Sequence, residues 1–333
     1  MIARLTEEAP LSYEEVHAAM SLIMAGEASE AQIGAFIMGV RNQGVHADMV
    51  AAGADVMRAC AMPIACNDAS AVDIVGTGGD GSHTFNISTT AAFVIAGAGV
   101  TVAKHGSYGV SSRCGSANVL DALGINLQYT PAHMAEALET IGIAFLFAPT
   151  LHPAMKHAVG PRREMGIWSL FNLLGPLCNP ASTRRGLTGV FSAALLPIIA
   201  DAQCRLGVDH QLIVHGDDGL DEITTTSTTQ IIEIRGEDQE RYLFSPEELG
   251  VPLALPESLV GGDAVENAAI SRAILSGEEQ GAKRDAVLVN SAFALYTSGK
   301  ATSPAQGMEL AASSIDSGAA LNKLTQLASL SQS

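Results

Sequence analysis

The chain has 333 residues, of which 47% are apolar and 16% charged, a balance that excludes a disordered chain and leaves room for one large domain or two unequal ones. Lys and Arg number 18 against 35 Asp and Glu, a formal charge of −17 that argues against a sequence-independent grip on nucleic acid. A small anionic ligand must be held by local positive elements inside that repelling field.

The N-terminal MIARLTEEAPLSYEE is acidic and has no apolar signal-like run. The most apolar uncharged stretch, Ala91 to Ala103, is too short to span a bilayer, so no membrane contact is expected. Cys60, Cys66, Cys114, Cys178 and Cys204 form no C-x-x-C pair, which argues against a zinc site or disulfide frame and fits a reducing, cytoplasmic setting.

Helices alone are predicted at the start. Ser12 and Glu15 form a capping box ahead of Val16, Met20 and Ile23. Ser29 and Gln32 repeat the device before Ile33, Phe36, Ile37 and Val40. A third helix is expected from about Ala47 to Cys60. From Val72 the pattern changes to alternating strands and helices. Strands are expected at Val72–Val75, Val100–Ala103, Ala144–Phe147, Gly186–Phe191, Gln211–Val214 and Gln230–Ile234. Helices are expected at Ser88–Ala98, Ser116–Leu123, Thr130–Ile141, His152–Met165, Ser192–Leu206 and Ala264–Leu275, with a mostly helical tail from Arg284. The expected fold is α/β: a small all-helical N-terminal domain (1–69) and a larger α/β domain (70–333) with a mostly parallel central sheet flanked by helices. The stretch near Ile167–Leu174 suits either unit, and a segment near 165–183 returning to the helical domain would join the two.

The sharpest motif is Asp73 to Thr89, DIVGTGGDGSHTFNIST. A strand runs into Gly76, Gly78, Gly79 and Gly81, whose bare backbone permits close approach to a ligand. Asn86, Ser88 and Thr89 follow where a helix begins and its free N–H groups favour an anion, and the Ser88 hydroxyl suits a metal ion bridging phosphates. Gly76, Gly78 and Gly81 also satisfy G-x-G-x-x-G, but the acidic residue of a dinucleotide site is missing. Between Gly81 and Leu120 there is no Asp or Glu, and the only formal charges are Lys104 and Arg113. Alone, the loop fits an ordinary tight turn equally well. The acid-free stretch and a second glycine loop, Lys104 to Ser116, favour a ligand with two phosphate-bearing ends. Asp221 and Glu222 close the acidic run after the Gln211–Val214 strand and suit a hard cation such as Mg²⁺, although a solvated acidic loop is the plainer reading in isolation. Arg162 and Arg163 offer bidentate donors for a carboxylate or phosphate. No Ser-His-Asp, catalytic cysteine or H-E-x-x-H arrangement is present.

Taken in order, GTGGDG, TFNIST, KHG followed by VSS and GSA, FLFAP, HPAM, PRRE, FNLLGPL-NP and HGDDGLDEI resemble the anthranilate phosphoribosyltransferase family of tryptophan biosynthesis, most densely between Asp73 and Thr224. The resemblance implies transfer of the phosphoribosyl group of 5-phosphoribosyl diphosphate (PRPP) to the amine of anthranilate, through an oxocarbenium-like transition state. It implies a homodimer formed through the helical domain, and two Mg²⁺ per subunit. PRPP would meet Gly76, Gly79, Asp80, Thr84, Asn86, Ile87, Ser88, Thr89, Lys104, Ser112 and Ser116. Anthranilate would meet Gly76, His105, Ser107, His152 and Arg162, and the metal ions Ser88, Asp221 and Glu222. Two runs depart from the family: the usual KHGN followed by Arg becomes Ser107 and Tyr108, and GIRT becomes Gly166-Ile-Trp168-Ser169. These affect the acceptor half. A transferase for another aromatic amine, a nucleoside phosphorylase or a non-catalytic nucleic-acid-binding relative are the alternatives. The metal pair fits the phosphorylase poorly, and the acidity and intact GTGGD fit the nucleic-acid binder poorly.

Overall fold

A computed structural model describes residues 2–7, 9–109 and 114–332. Ser12 and Ser29 cap α1 (Tyr13–Met24) and α2 (Glu30–Gln43) through reciprocal capping boxes with Glu15 and Gln32; such a cap contributes about 1 kcal/mol. With α3 (Ala47–Ala59), these helices bury Met20, Phe36 and Met49. The chain then runs β1 (Val72–Gly76), α4 (Ile87–Gly97), β2 (Val102–Gly106), α5 (Ser116–Ala122), α6 (Pro131–Thr140), β3 (Ile143–Phe147), α7 (Ala148–Leu151), α8 (Lys156–Met165), α9 (Leu170–Leu174), β4 (Arg185–Gly189), α10 (Leu196–Arg205), β5 (His210–Gly216), β6 (Thr229–Arg235), β7 (Asp238–Phe244), α11 (Ala264–Leu275), α12 (Ala282–Ser298), α13 (Pro304–Asp316) and α14 (Ala319–Ser331).

The strands form one sheet in the order β3-β2-β1-β4-β5-β6-β7, parallel from β3 to β5 and antiparallel for β6 and β7. Helix α4 is buried almost all round, between the sheet, α12 and α14, which explains why its sequence carries no charge. On the other side, Ile199 of α10, Ile213 of β5 and Ile232 of β6 share one apolar cluster with α1 to α3. Leu170, Phe171, Leu173 and Leu174 of α9 join that cluster, so the 167–174 stretch packs with the N-terminal helices. Strand order reverses about β1, with β2 on one side and β4 on the other, and the crevice beyond the carboxyl ends of such strands is where ligands bind in open α/β sheets.

Several expected boundaries are corrected. The Val100–Ala103 strand lies at Val102–Gly106, so Lys104 and His105 are strand residues rather than loop residues; reading apolar runs ends a strand at its first charge. The His152–Met165 helix is shorter, with α8 starting at Lys156 after a short turn at Pro153–Met155, and a further short helix, α7, precedes it at Ala148–Leu151. The Ser192–Leu206 helix is likewise shorter, beginning at Leu196 after a turn at Ala193–Leu195. Strand β7 was not expected, because it is a charged, mostly exposed edge strand with little apolar alternation, a composition that also protects an edge from pairing with other chains.

Candidate active site

A cleft of about 630 Å³ opens at the carboxyl ends of β1 and β2 and extends to α8 and α9. Its floor is the loop that follows β1. Gly78, Gly79 and Gly81 there have φ of 65°, 86° and 70°, in the left-handed region that glycine enters freely. Gly76 is needed for a different reason: a Cβ at that position would lie 2.3 Å from Asp221 Oδ2.

Asp221 and Glu222 come from the loop after β5 and reach the first motif across the sheet. Gly78 N–H donates to Asp221 Oδ2 at 2.6 Å, and Ser88 N–H, in the first turn of α4, donates to Glu222 Oε1 at 3.2 Å. Glu222 Oε2 is buried without a partner among the described residues. Burial first, and nearby negative charge second, raise the pKa of both carboxyls; Asp80 adds to the effect on Asp221, and Asp221 to that on Glu222. Among the described residues no group of three or more His, Cys, Asp or Glu could enclose a metal ion. A cation at the pair would therefore complete its shell with water and ligand oxygens, which is the habit of Mg²⁺. The orphaned oxygen and the hard donor set fit that ion.

Lys104 is 4% exposed, and its Nζ donates to the carbonyl of Ile74 at 2.6 Å. Burial lowers its pKa, while Asp73, Glu222 and Asp221 pull in the opposite direction. Asp73, which sequence reading did not assign to the site, is fully interior and raised to about 6, chiefly by burial. It accepts from the His105 N–H at 3.2 Å and from Asn179 Nδ2 at 2.8 Å, and so ties β1, β2 and the chain entering β4 into one block beneath the cleft. A buried acid beside a buried lysine has no sequence signature.

His105 and His152 face each other with ring centroids 5.1 Å apart. Burial holds His105 at about 3 and His152 at about 4, so both are neutral at pH 7. His105 Nδ1 lies 3.0 Å from the carbonyl of Gly175, which places its proton on that nitrogen and leaves Nε2 a free acceptor. Neither Nε2 has a partner among the described residues. Arg162 lines the same end of the cleft, stacked over Phe171 at 5.2 Å, with no hydrogen-bond or ion-pair partner for its guanidinium among the described residues. Arg163 is exposed and does not line the cleft.

The sequence-predicted residues Gly76, Gly79, Asp80, Thr84, Asn86, Ile87, Ser88, Thr89, Lys104, His105, Ser107, Ser116, His152, Arg162, Asp221 and Glu222 all line this cleft. Ser112 lies outside the described residues. Two of these lining residues also have structural contacts. The Asn86 side chain donates to the carbonyl of Cys114 and accepts from Asn267, pinning the start of α4 to the second loop. Ile87 is a core residue whose side chain joins the cluster beneath α4. Met57 of α3, Phe171 and Asn172 of α9, and Trp168 complete the wall, and the apolar periodicity of their segments gave no hint of it.

The fold and site together place a cleft with a glycine-rich floor and a buried carboxylate pair at the switch point of an α/β sheet. Residues 68–321 match the glycosyl transferase family a/b domain, and residues 1–61 match the helical bundle domain of the same family. The anthranilate phosphoribosyltransferase of Moorella thermoacetica is 50% identical over 97% of this chain and 95% of its own length. The crystal structure of the Thermus thermophilus anthranilate phosphoribosyltransferase is 39% identical, with a TM-score of 0.94 over 100% of this chain and 99% of the other. The Saccharomyces cerevisiae anthranilate phosphoribosyltransferase in complex with PRPP and Mg is 26% identical, with a TM-score of 0.92 over 99% of this chain and 96% of that one. This chain belongs to the anthranilate phosphoribosyltransferases of the glycosyl transferase family.

Proposed function

We infer that the chain transfers the 5-phosphoribosyl group of PRPP to the amine of anthranilate, releasing diphosphate, as the second step of tryptophan biosynthesis from chorismate. The observation that carries this reading is the convergence of Asp221 and Glu222 on the backbone donors of Gly78 and Ser88. Full-length similarity to anthranilate phosphoribosyltransferases supports it.

In this reading the backbone of Gly76, Gly79 and Asp80, with Thr84 and the N-terminal turn of α4 from Asn86 to Thr89, receives the diphosphate end. Lys104, Ser112 and Ser116 complete the PRPP site. Asp221, Glu222 and the Ser88 hydroxyl would hold two Mg²⁺. Bound Mg²⁺ supplies charge neutralisation for the departing diphosphate. The arylamine is neutral at pH 7 and needs no activating triad. Arg162 takes the acceptor carboxylate, while the free Nε2 acceptors of His105 and His152 orient the amine, with Gly76 and Ser107 closing the pocket. The chain's own contribution is to position the two substrates and to offer fixed donors to the leaving group. Residues 1–69, with the segment near 165–183, form a helical domain that closes this cleft against residues 70–333, and the helical domains of two copies pair in a cytoplasmic homodimer. Release of diphosphate from PRPP with anthranilate, measured with and without Mg²⁺, tests the reading. Release that needs both supports it, and release indifferent to anthranilate overturns it.

A further inference from the structure

Trp168, the only tryptophan of the chain, stands where the family carries the arginine of its GIRT run. It lies in the turn between α8, whose last turn holds Arg162, and α9, which carries Phe171. Two contacts fix it, and a third holds its neighbour. Its ring meets Phe191 edge-on at 5.7 Å, and its carbonyl accepts from Arg41 Nη1 at 2.6 Å. Phe191 in turn is held at the first glycine loop, its N–H donating to Thr77 Oγ1 at 3.2 Å. Trp168 is therefore held at its main chain by α2 and at its ring by Phe191, itself tied to the first glycine loop, and the residue lines the cleft.

Its Nε1–H, however, is buried and has no partner among the described residues. Indole nitrogen is a donor only, and a buried donor left unmet is destabilising. A buried donor without a partner, in a residue that lines a cleft, is satisfied when a bound ligand brings an acceptor to it. The guanidinium of Arg162, also without a hydrogen-bond or ion-pair partner among the described residues, belongs to a residue lining the same cleft, stacked over Phe171 of the helix that follows Trp168. A planar carboxylate has acceptor sites for both.

We propose that Trp168 is a specificity-determining residue of the acceptor half of the site, donating its indole N–H to the acceptor's carboxylate alongside Arg162. It selects arylamines that carry a carboxylate. The inference rests on the function proposed above.

Trp168→Phe keeps an aromatic ring against Phe191 and removes the donor. The experiment is steady-state kinetics of wild type and variant with each substrate varied in turn, with thermal melting as a check on folding. A hydrogen bond to a charged group corresponds to about tenfold in affinity or more. The variant is expected to raise the anthranilate KM by about that factor, with kcat and the PRPP KM within about twofold. In wild type the emission of this sole tryptophan, corrected for absorption by the acceptor, is expected to change saturably with anthranilate and not with aniline. An unchanged anthranilate KM in a folded variant, or a rise in the PRPP KM alone, overturns the proposal; the latter would place the donor on a phosphate. Wild type inactive with PRPP and anthranilate would instead overturn the proposed function, so the two failures are distinguishable. Should the phenylalanine variant melt early, the emission titration of wild type decides alone: no response at saturating anthranilate rejects the donor role.

Discussion

Asp221 Oδ2 accepts the backbone N–H of Gly78 at 2.6 Å, joining two loops 143 residues apart. A carboxylate thus sits on a backbone donor of the glycine loop, and Glu222 does the same at Ser88. These buried acids cost stability in the free protein, which is the usual condition of groups kept for binding.

Asp221→Asn and Glu222→Gln should therefore separate stability from activity. Each removes a buried like charge and keeps an acceptor oxygen for Gly78 or Ser88. Turnover is expected to fall about 100- to 1000-fold, while the melting temperature of the ligand-free protein rises by about 2 °C or more. Ser88→Ala should also lower turnover far more than it disturbs folding. Wild-type turnover at ordinary Mg²⁺ in any of the three would remove that residue from the site.

The pH dependence has a definite sign. Burial raises the Asp221 and Glu222 pKa values, so the folded, metal-free protein binds protons that the unfolded chain releases. Their contribution to stability is present at low pH and is lost as pH rises from the ordinary carboxylate range through the raised values. His105 and His152 act oppositely: their pKa values are lowered by burial, so their effect appears as stability lost when pH falls below the usual histidine range. Melting curves of wild type and the Asp221→Asn/Glu222→Gln double variant from pH 5 to 8 isolate the acids by difference. Because Mg²⁺ displaces those protons, its stabilising effect on wild type should grow with pH. An Mg²⁺ effect independent of pH would contradict the raised carboxyls.

Gly76→Ala tests the close approach of the two loops. The added methyl would lie 2.3 Å from Asp221 Oδ2 and 2.9 Å from its Cγ, so the carboxylate must move away from Gly78. Turnover should fall at least about 100-fold, with the larger core intact by circular dichroism. Gly78→Ala meets no atom within 4 Å but has φ of 65°, so its cost is backbone strain of about 1 kcal/mol. Equal loss of turnover and of PRPP binding in both variants would show that strain, rather than the clash, matters.

Arg162→Ala should raise the KM for anthranilate at least about tenfold and leave the PRPP KM nearly unchanged. Arg163→Ala, at an exposed position outside the cleft, is the control. An unchanged acceptor KM for Arg162→Ala would deny it the carboxylate.

A feature of this protein is legible in its sequence where the groups that build it are neighbours in the chain. Capping boxes at Ser12 and Ser29, the glycine run at Gly76–Gly81 and the start of α4 are contiguous in the chain, and they were read directly. The role of Asp73 was not, because it arises from burial beside Lys104 and from Asn179, which is distant in sequence. Lys104 itself was assigned to a loop because its charge interrupts the apolar run that continues as β2. Met57 reads as an ordinary apolar position, and only the packing of α3 along the cleft brings it to the site, whereas Trp168 stands out in the sequence solely as a departure from the family's GIRT run. The motifs marked the polar groups that line the cleft, and tertiary structure decided which of them is buried, unpaired or pinned.

On the proposed function, the two glycine loops and the Asp221–Glu222 pair together bind a magnesium-loaded sugar diphosphate. Calorimetric titration of PRPP into wild type and Asp221→Asn, with Mg²⁺ and with EDTA, tests it most directly. Saturable uptake by wild type that needs Mg²⁺ and is lost in the variant is the predicted result. Uptake equal in Mg²⁺ and EDTA, or equal in the two proteins, would contradict it.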